Sequence, residues 1–141
     1  MAFNILVVDD SLPMRKVIKK TIKASGFSMA QYEEASDGAE ALKILNEKWI
    51  DIVVTDYNMP NMNGLELVSE MKKNDLLKTI PVLVITTEGG KARVAEFKEK
   101  GVSGYIKKPF TPEEIRLKLN EILGDPGNDE GTEISDDSLD F

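Results

Sequence analysis

Three short runs in this chain are nearly continuous in Ile, Leu and Val: Phe3–Val8, Ile50–Thr55 and Pro81–Thr86. A strand with one wet face alternates apolar and polar side chains. A nearly unbroken apolar run belongs to a strand covered on both faces, which is how the strands of a parallel sheet read. Two weaker runs, Met29–Glu34 and Ser103–Lys107, complete a set of five.

Helical patterns separate them. Met14, Val17, Ile18 and Ile22 recur at helical spacing, as do Ala41, Leu42, Leu45 and Trp49, and Leu65, Val68 and Met71 after Gly64. Lys91–Lys100 is a charged, weakly amphipathic helix with Ala92 and Ala95 as its apolar positions. Ile115, Leu119, Ile122 and Leu123 form the last stripe. Ser11 followed by Pro13 marks a helix start, and Thr111-Pro112-Glu113-Glu114 is a capping box with proline at the first helical position. Strand and helix therefore alternate five times up to Gly124. This predicts an open α/β sheet with right-handed crossovers and helices on both faces.

Residues 1–124 are expected to form one domain and residues 125–141 an acidic, disordered tail. The tail holds only Ile134, Leu139 and Phe141 as large apolar residues, too few to offset the entropy of ordering it. Its seven acids and no base account for the whole net charge of -7; the preceding body carries 18 acids and 18 bases. Nucleic acid is not expected as a partner, because no binding motif is present. No apolar run is long enough for a membrane span and no signal peptide opens the chain, so a cytoplasmic protein without membrane insertion is expected. With no cysteine and no histidine, thiolate sites, histidine bases and histidine-dependent triads are excluded.

In open α/β sheets function gathers at the carboxyl ends of the strands. There lie Asp9 and Asp10 after the first run, Asp56 after the third, Thr86 and Thr87 at the fourth, and Lys108-Pro109 after the fifth. In the flavodoxin-like strand order 2-1-3-4-5 the first and third strands are neighbours, which brings the three carboxylates together. Three close carboxylates repel unless a cation sits among them, and an all-oxygen donor set favours Mg²⁺. A lysine and a hydroxyl beside them suit phosphoryl transfer onto Asp56. Singly, each residue reads more simply as a turn former, a solvated lysine or a packing residue. It is their joint placement at one sheet edge that points to chemistry. An EF-hand reading of Asp56–Asn58 fails, because Pro60 and Asn61 take the wrong loop positions.

The segments VVDDS, VTDYNMPNMNGLEL, PVLVITTEGG and GYIKKPFTPEE together resemble a response-regulator receiver domain of the CheY-type single-domain chemotaxis class. The resemblance covers residues 1 to about 124. It implies a five-stranded, five-helix fold in which Asp56 accepts a phosphoryl group from a histidine kinase. It implies Mg²⁺ on Asp10, Asp56 and the Asn58 backbone carbonyl, with Asp9 assisting through water. It assigns Lys108 to the phosphoryl oxygens, Thr86 and Tyr105 to the switch, and a cis bond to Lys108-Pro109. Output is expected as phosphorylation-dependent protein binding, with a flagellar-motor switch protein as the suggested partner. A phosphate shuttle or sink in another relay is the alternative. An aspartate-nucleophile phosphatase fits less well, since such enzymes carry a second aspartate where this chain has Asn58. The chain departs from the resemblance at Tyr57, at Thr87, at Gly89-Gly90 before the fourth helix, and in the placement of its single tryptophan, Trp49.

Overall fold

A computed structural model of the chain describes residues 2–87 and 89–124. The elements alternate as expected: β1 (Phe3–Val8), α1 (Leu12–Ser25), β2 (Met29–Ala35), α2 (Gly38–Glu47), β3 (Ile52–Asp56), α3 (Gly64–Lys72), β4 (Val82–Thr86), α4 (Lys91–Glu99), β5 (Gly104–Lys107) and α5 (Pro112–Leu123). All pairings are parallel, in the order β2-β1-β3-β4-β5. The expected five-stranded, five-helix flavodoxin-like sheet is therefore present.

Successive side chains of a strand point to opposite faces, and the core divides accordingly. Leu6, Val8, Val53 and Val84 pack with Ala41, Leu45, Leu65, Val68 and Phe97 beneath α2, α3 and α4. Ile5, Val7, Ile52, Val54, Leu83 and Ile85 pack with Ile18, Ile22, Ile115 and Leu119 beneath α1 and α5. Every residue of β3 and β4 is buried, which explains why both are apolar up to their carboxyl ends.

Boundaries shift by a residue or two. Ile50 is buried, yet β3 begins at Ile52. Before it, Asp51 Oδ2 accepts from the Asn4 amide at 2.7 Å, and the Asn4 side-chain amide donates to the Trp49 carbonyl at 3.0 Å. Trp49 itself is 80% exposed at the end of β3 remote from Asp56. Helix starts follow their caps. Ser11 accepts from the Met14 amide, and Thr111 and Glu114 form the anticipated reciprocal box. Asp37 caps α2, and Asn63 with Glu66 forms a second box on α3. In α4 the buried residue is Phe97, while Ala92 and Ala95 are exposed, so the expected apolar positions are corrected. Gly124 closes α5 in the left-handed region at φ 64°. Residues 125–141, read above as a tail, lie outside the described residues.

Candidate functional site

The carboxyl edge of the sheet gathers the acidic residues by register. Val8 pairs with Thr55 across β1 and β3, so the next residues, Asp9 and Asp56, emerge side by side. Asp9 and Asp56 are buried and Asp10 is exposed, and carboxylate oxygens of all three lie within 4.8 Å of one another. Asp56 is the last residue of β3, rather than the first after it. From across the sheet Lys108 donates to Asp56 Oδ1 at 3.2 Å. Its backbone is fixed by an amide bond to the Thr86 carbonyl at 2.7 Å and by the cis Lys108–Pro109 peptide.

The acid pair is held from below. Asp9 Oδ1 accepts from the Ser11 amide at 2.8 Å, while Arg15 donates to the Asp9 carbonyl and to Glu34, both at 2.7 Å. Asp9 Oδ2 is buried with no hydrogen-bond partner among the described residues. Burial pushes the Asp9 carboxyl above the usual range; the Ser11 amide opposes this, and the neighbouring Asp56 charge reinforces it. An orphaned buried carboxylate oxygen, three carboxylates at close quarters and no nitrogen or sulfur donor together fit a hard divalent cation.

One close approach and one left-handed residue shape the loop after β3. Gly64 opens α3 against the end of β3, where a Cβ would stand 2.9 Å from the Asp56 carbonyl oxygen, so only glycine fits. Asn61 holds φ 71°, a left-handed conformation that asparagine tolerates. Ahead of both, Asn58 is exposed in the β3–α3 loop.

Thr86 is buried at the end of β4, adjoining the strand that carries Asp56. Tyr105 is not at the carboxylates. It sits half-buried in β5, its ring 6.0 Å from Phe97, with Lys118 Nζ 5.9 Å from its ring centre. A chain of rings nevertheless links it to the site. Tyr57, the residue after Asp56, meets Phe97 edge-on at 5.6 Å, and Phe97 meets Tyr105. Arg93 of α4 lies over the Tyr57 ring at 4.6 Å, donates to its hydroxyl at 2.6 Å and also pairs with Glu96.

Sequence reading did not anticipate two contacts. Arg15 reads as one more base on a basic helix, although its place one turn after the acid pair was a signal. Arg93 reads as a surface residue, and only the tyrosine at position 57 makes it a latch.

The sequence profile described as the response regulator receiver domain matches residues 5–120. Chemotaxis protein CheY1 of Helicobacter pylori is 45% identical over 122 residues, covering 86% of this chain and 97% of that protein. A chemotaxis protein CheY homolog of Campylobacter jejuni is 43% identical over 129 residues, covering 91% and 97%. Among solved structures, chemotaxis protein CheY4 of Vibrio cholerae superposes with a TM-score of 0.78 at 33% identity, over 87% of this chain and all of that one.

Proposed function

From the premise that this chain belongs to the response regulator receiver domain family, in its CheY-like class, we propose that Asp56 accepts a phosphoryl group from a histidine kinase. The observation that carries this is the Asp9–Asp10–Asp56 cluster with Lys108 on one Asp56 oxygen. A carboxylate oxygen of Asp56 attacks phosphorus in line with the departing imidazole nitrogen. The phosphorus–nitrogen bond breaks, an acyl phosphate forms, and the leaving imidazole is protonated by solvent. Asp10, Asp56 and the backbone carbonyl of Asn58, with Asp9 assisting, would hold Mg²⁺, and the bound ion would supply positive charge that offsets the repulsion between carboxylates and phosphate. Lys108 exchanges its bond to Asp56 for one to a phosphoryl oxygen.

The remaining residues convert that event into a changed surface. Thr86 turns its hydroxyl to the phosphoryl group, and Tyr105 follows into the space vacated beneath α4. The surface formed by α4, β5 and α5, with Lys91, Arg93, Glu96, Tyr105 and Lys118, is then biased towards one of two states. The chain is read as a switch whose output is protein binding. The chemotaxis names of its relatives favour a flagellar-motor switch protein as the downstream target.

The test is mass spectrometry after treatment with a small phosphodonor and Mg²⁺. The native chain is expected to gain one phosphoryl group on Asp56, and Asp56→Asn to gain none. Full labelling of Asp56→Asn at another residue would overturn the assignment. Capture of a motor-switch protein only by the labelled chain separates the switch from a simple phosphate sink.

A further inference from the structure

We propose that Arg15 is a positioning residue for the divalent cation: held by Glu34 and Tyr32 of β2, it fixes the Asp9–Asp10 peptide and so keeps the Asp10 carboxylate beside that of Asp56. The effect on cation binding rests on the Mg²⁺ reading above; the effect on the backbone of Asp10 does not.

Asp10 is the exposed member of the three carboxylates. Its place is therefore set by the backbone that carries it, which turns between the end of β1 at Val8 and the start of α1 at Leu12. The preceding residue, Asp9, is tied at three points. Its amide donates to the Ala35 carbonyl at 3.1 Å, its Oδ1 accepts from the Ser11 amide at 2.8 Å, and its carbonyl accepts from Arg15 Nη1 at 2.7 Å. The first two fix Asp9 and its side chain. The third holds the plane of the peptide that joins Asp9 to Asp10, and with it the direction in which Asp10 leaves.

Arg15 is itself held at both ends. Its side chain is 14% exposed, and its Nε donates to Glu34 Oε1 at 2.7 Å. Its own carbonyl accepts from the Tyr32 hydroxyl at 3.0 Å. Tyr32 and Glu34 pair with Ile5 and Val7 of β1, so both point to the sheet face that α1 covers. This gives a reason for the polar text of β2, one of the weaker apolar runs. It is an edge strand, and two of its polar side chains hold the arginine.

The sign of the charge separates two roles for Arg15. A guanidinium near a cation site repels the ion, and Glu34 offsets that repulsion only in part. Were charge its whole contribution, removing Arg15 would strengthen Mg²⁺ binding. A positioning role predicts weaker binding despite the relieved repulsion. Partners that orient a metal ligand from behind commonly change affinity about 10–100-fold. Lysine cannot replace the arginine here. The guanidinium reaches Glu34 with one nitrogen and the Asp9 carbonyl with another in one rigid plane, whereas lysine has a single nitrogen.

The test is a magnesium chloride titration of the ¹⁵N-labelled full chain, native, Arg15→Gln and Arg15→Lys, followed at the amides of Asp10 and Asp56, with relaxation measured in chelator. Arg15→Lys keeps the charge and the apolar stem, and so guards against a failure of Arg15→Gln to fold. The native Asp10 amide is expected near the rigid order parameter of about 0.85, falling towards about 0.6 in both variants while Ile18 and Ile22 stay rigid. Half-saturation should need about ten times more Mg²⁺ in Arg15→Gln, and several times more in Arg15→Lys although its charge is unchanged. Unchanged or tighter binding by Arg15→Gln would overturn the proposal. So would an Asp10 amide as rigid in the variants as in the native chain, or a lowered melting temperature in chelator with half-saturation unmoved, the mark of a packing role alone. If the native chain itself takes no Mg²⁺, the metal reading falls, and the order parameter of Asp10 alone then upholds or overturns the role of Arg15.

Discussion

Helices α1 and α4 begin beside the same sheet edge and are built by opposite means. The first runs 14 residues, is capped at one end by the Ser11 hydroxyl and at the other by left-handed Gly26, and buries Ile18, Ile22 and Ser25. The second runs nine, starts at Gly90 with no side-chain cap, and buries only Phe97. A helix held by a full stripe has one address on the sheet. A helix held by one ring keeps its address only while the ring's neighbours stay put. Those neighbours include Tyr57, next to Asp56 and also held by Arg93 of α4, and Tyr105 on β5. The acid pair follows β1 and rests on α1 through Ser11 and Arg15, so the floor of the site belongs to the rigid side. Events at Asp56 can reach α4 through Tyr57 without disturbing that floor.

The sharpest way to break this contrast is to remove the ring. Truncating Phe97→Ala is expected to cost about 3–5 kcal/mol, the usual loss for a buried aromatic. The loss should show as a lowered denaturation midpoint, with amide-exchange protection falling first in α4 and hardly changing in α1. A loss below about 1 kcal/mol, or equal loss of protection in both helices, would show that α4 has another anchor.

How far this asymmetry was legible in the text depends on the kind of signal. The strands of the sheet centre were plain, because burial on both faces leaves polar residues only at the carboxyl ends of β3 and β4. The caps at Ser11 and Thr111 were legible because each stands alone before its helix. Asn63 was not, since it lies in a stretch with Asn58, Pro60 and Asn61, any of which could end a turn. Nor was the true anchor of α4. Ala92 and Ala95 fit a helical spacing, but alanine gains little from burial, and a single Phe97 has no period. At the site, Asp9, Asp10, Asp56 and Lys108 could be placed because each ends a strand. The contacts of Arg15 and Arg93 depend on where long side chains lie across neighbouring elements, which no local pattern encodes.

The rigid side makes its own prediction through charge. The raised Asp9 carboxyl binds its proton more tightly in the folded chain than in the unfolded one. Without divalent cation, stability should therefore be greatest below pH 3.8 as far as this group is concerned. It should fall as pH rises through the raised folded value, and stay level above it. Asp9→Asn is expected to flatten that slope and to raise the melting temperature of the metal-free protein at pH 7. In Mg²⁺ the order should reverse. Mg²⁺ at about a hundred times its dissociation constant adds about 2.7 kcal/mol to the native chain, and loss of Asp9 weakens that binding. Calorimetry in chelator and in Mg²⁺ reads both limits. An Asp9→Asn protein that is less stable in chelator would mean that the Ser11 amide bond outweighs the burial of charge.

The smallest expected effect tests the movable side most directly. Gly90 has φ -66°, a conformation open to any residue, and a Cβ there would meet nothing within 4 Å. Serine at this position loses less chain entropy on folding and supplies the hydroxyl that α4 lacks. Together these are worth about 0.5–1 kcal/mol. Were α4 as firmly seated as α1, that gain would appear as stability and nothing more. Because α4 is held by one buried ring and the Arg93–Tyr57 contact alone among its described ties to the site, the added cap should also change signalling. It favours whichever of the two surface states has the better-formed first turn. Gly90→Ser should therefore raise the denaturation midpoint slightly and shift affinity for the downstream partner, while phosphoryl labelling of Asp56 proceeds at the native rate. A stability gain with partner affinity unchanged in both the labelled and unlabelled chain would show that the start of α4 takes no part in the switch, leaving Tyr105 and β5 to carry it.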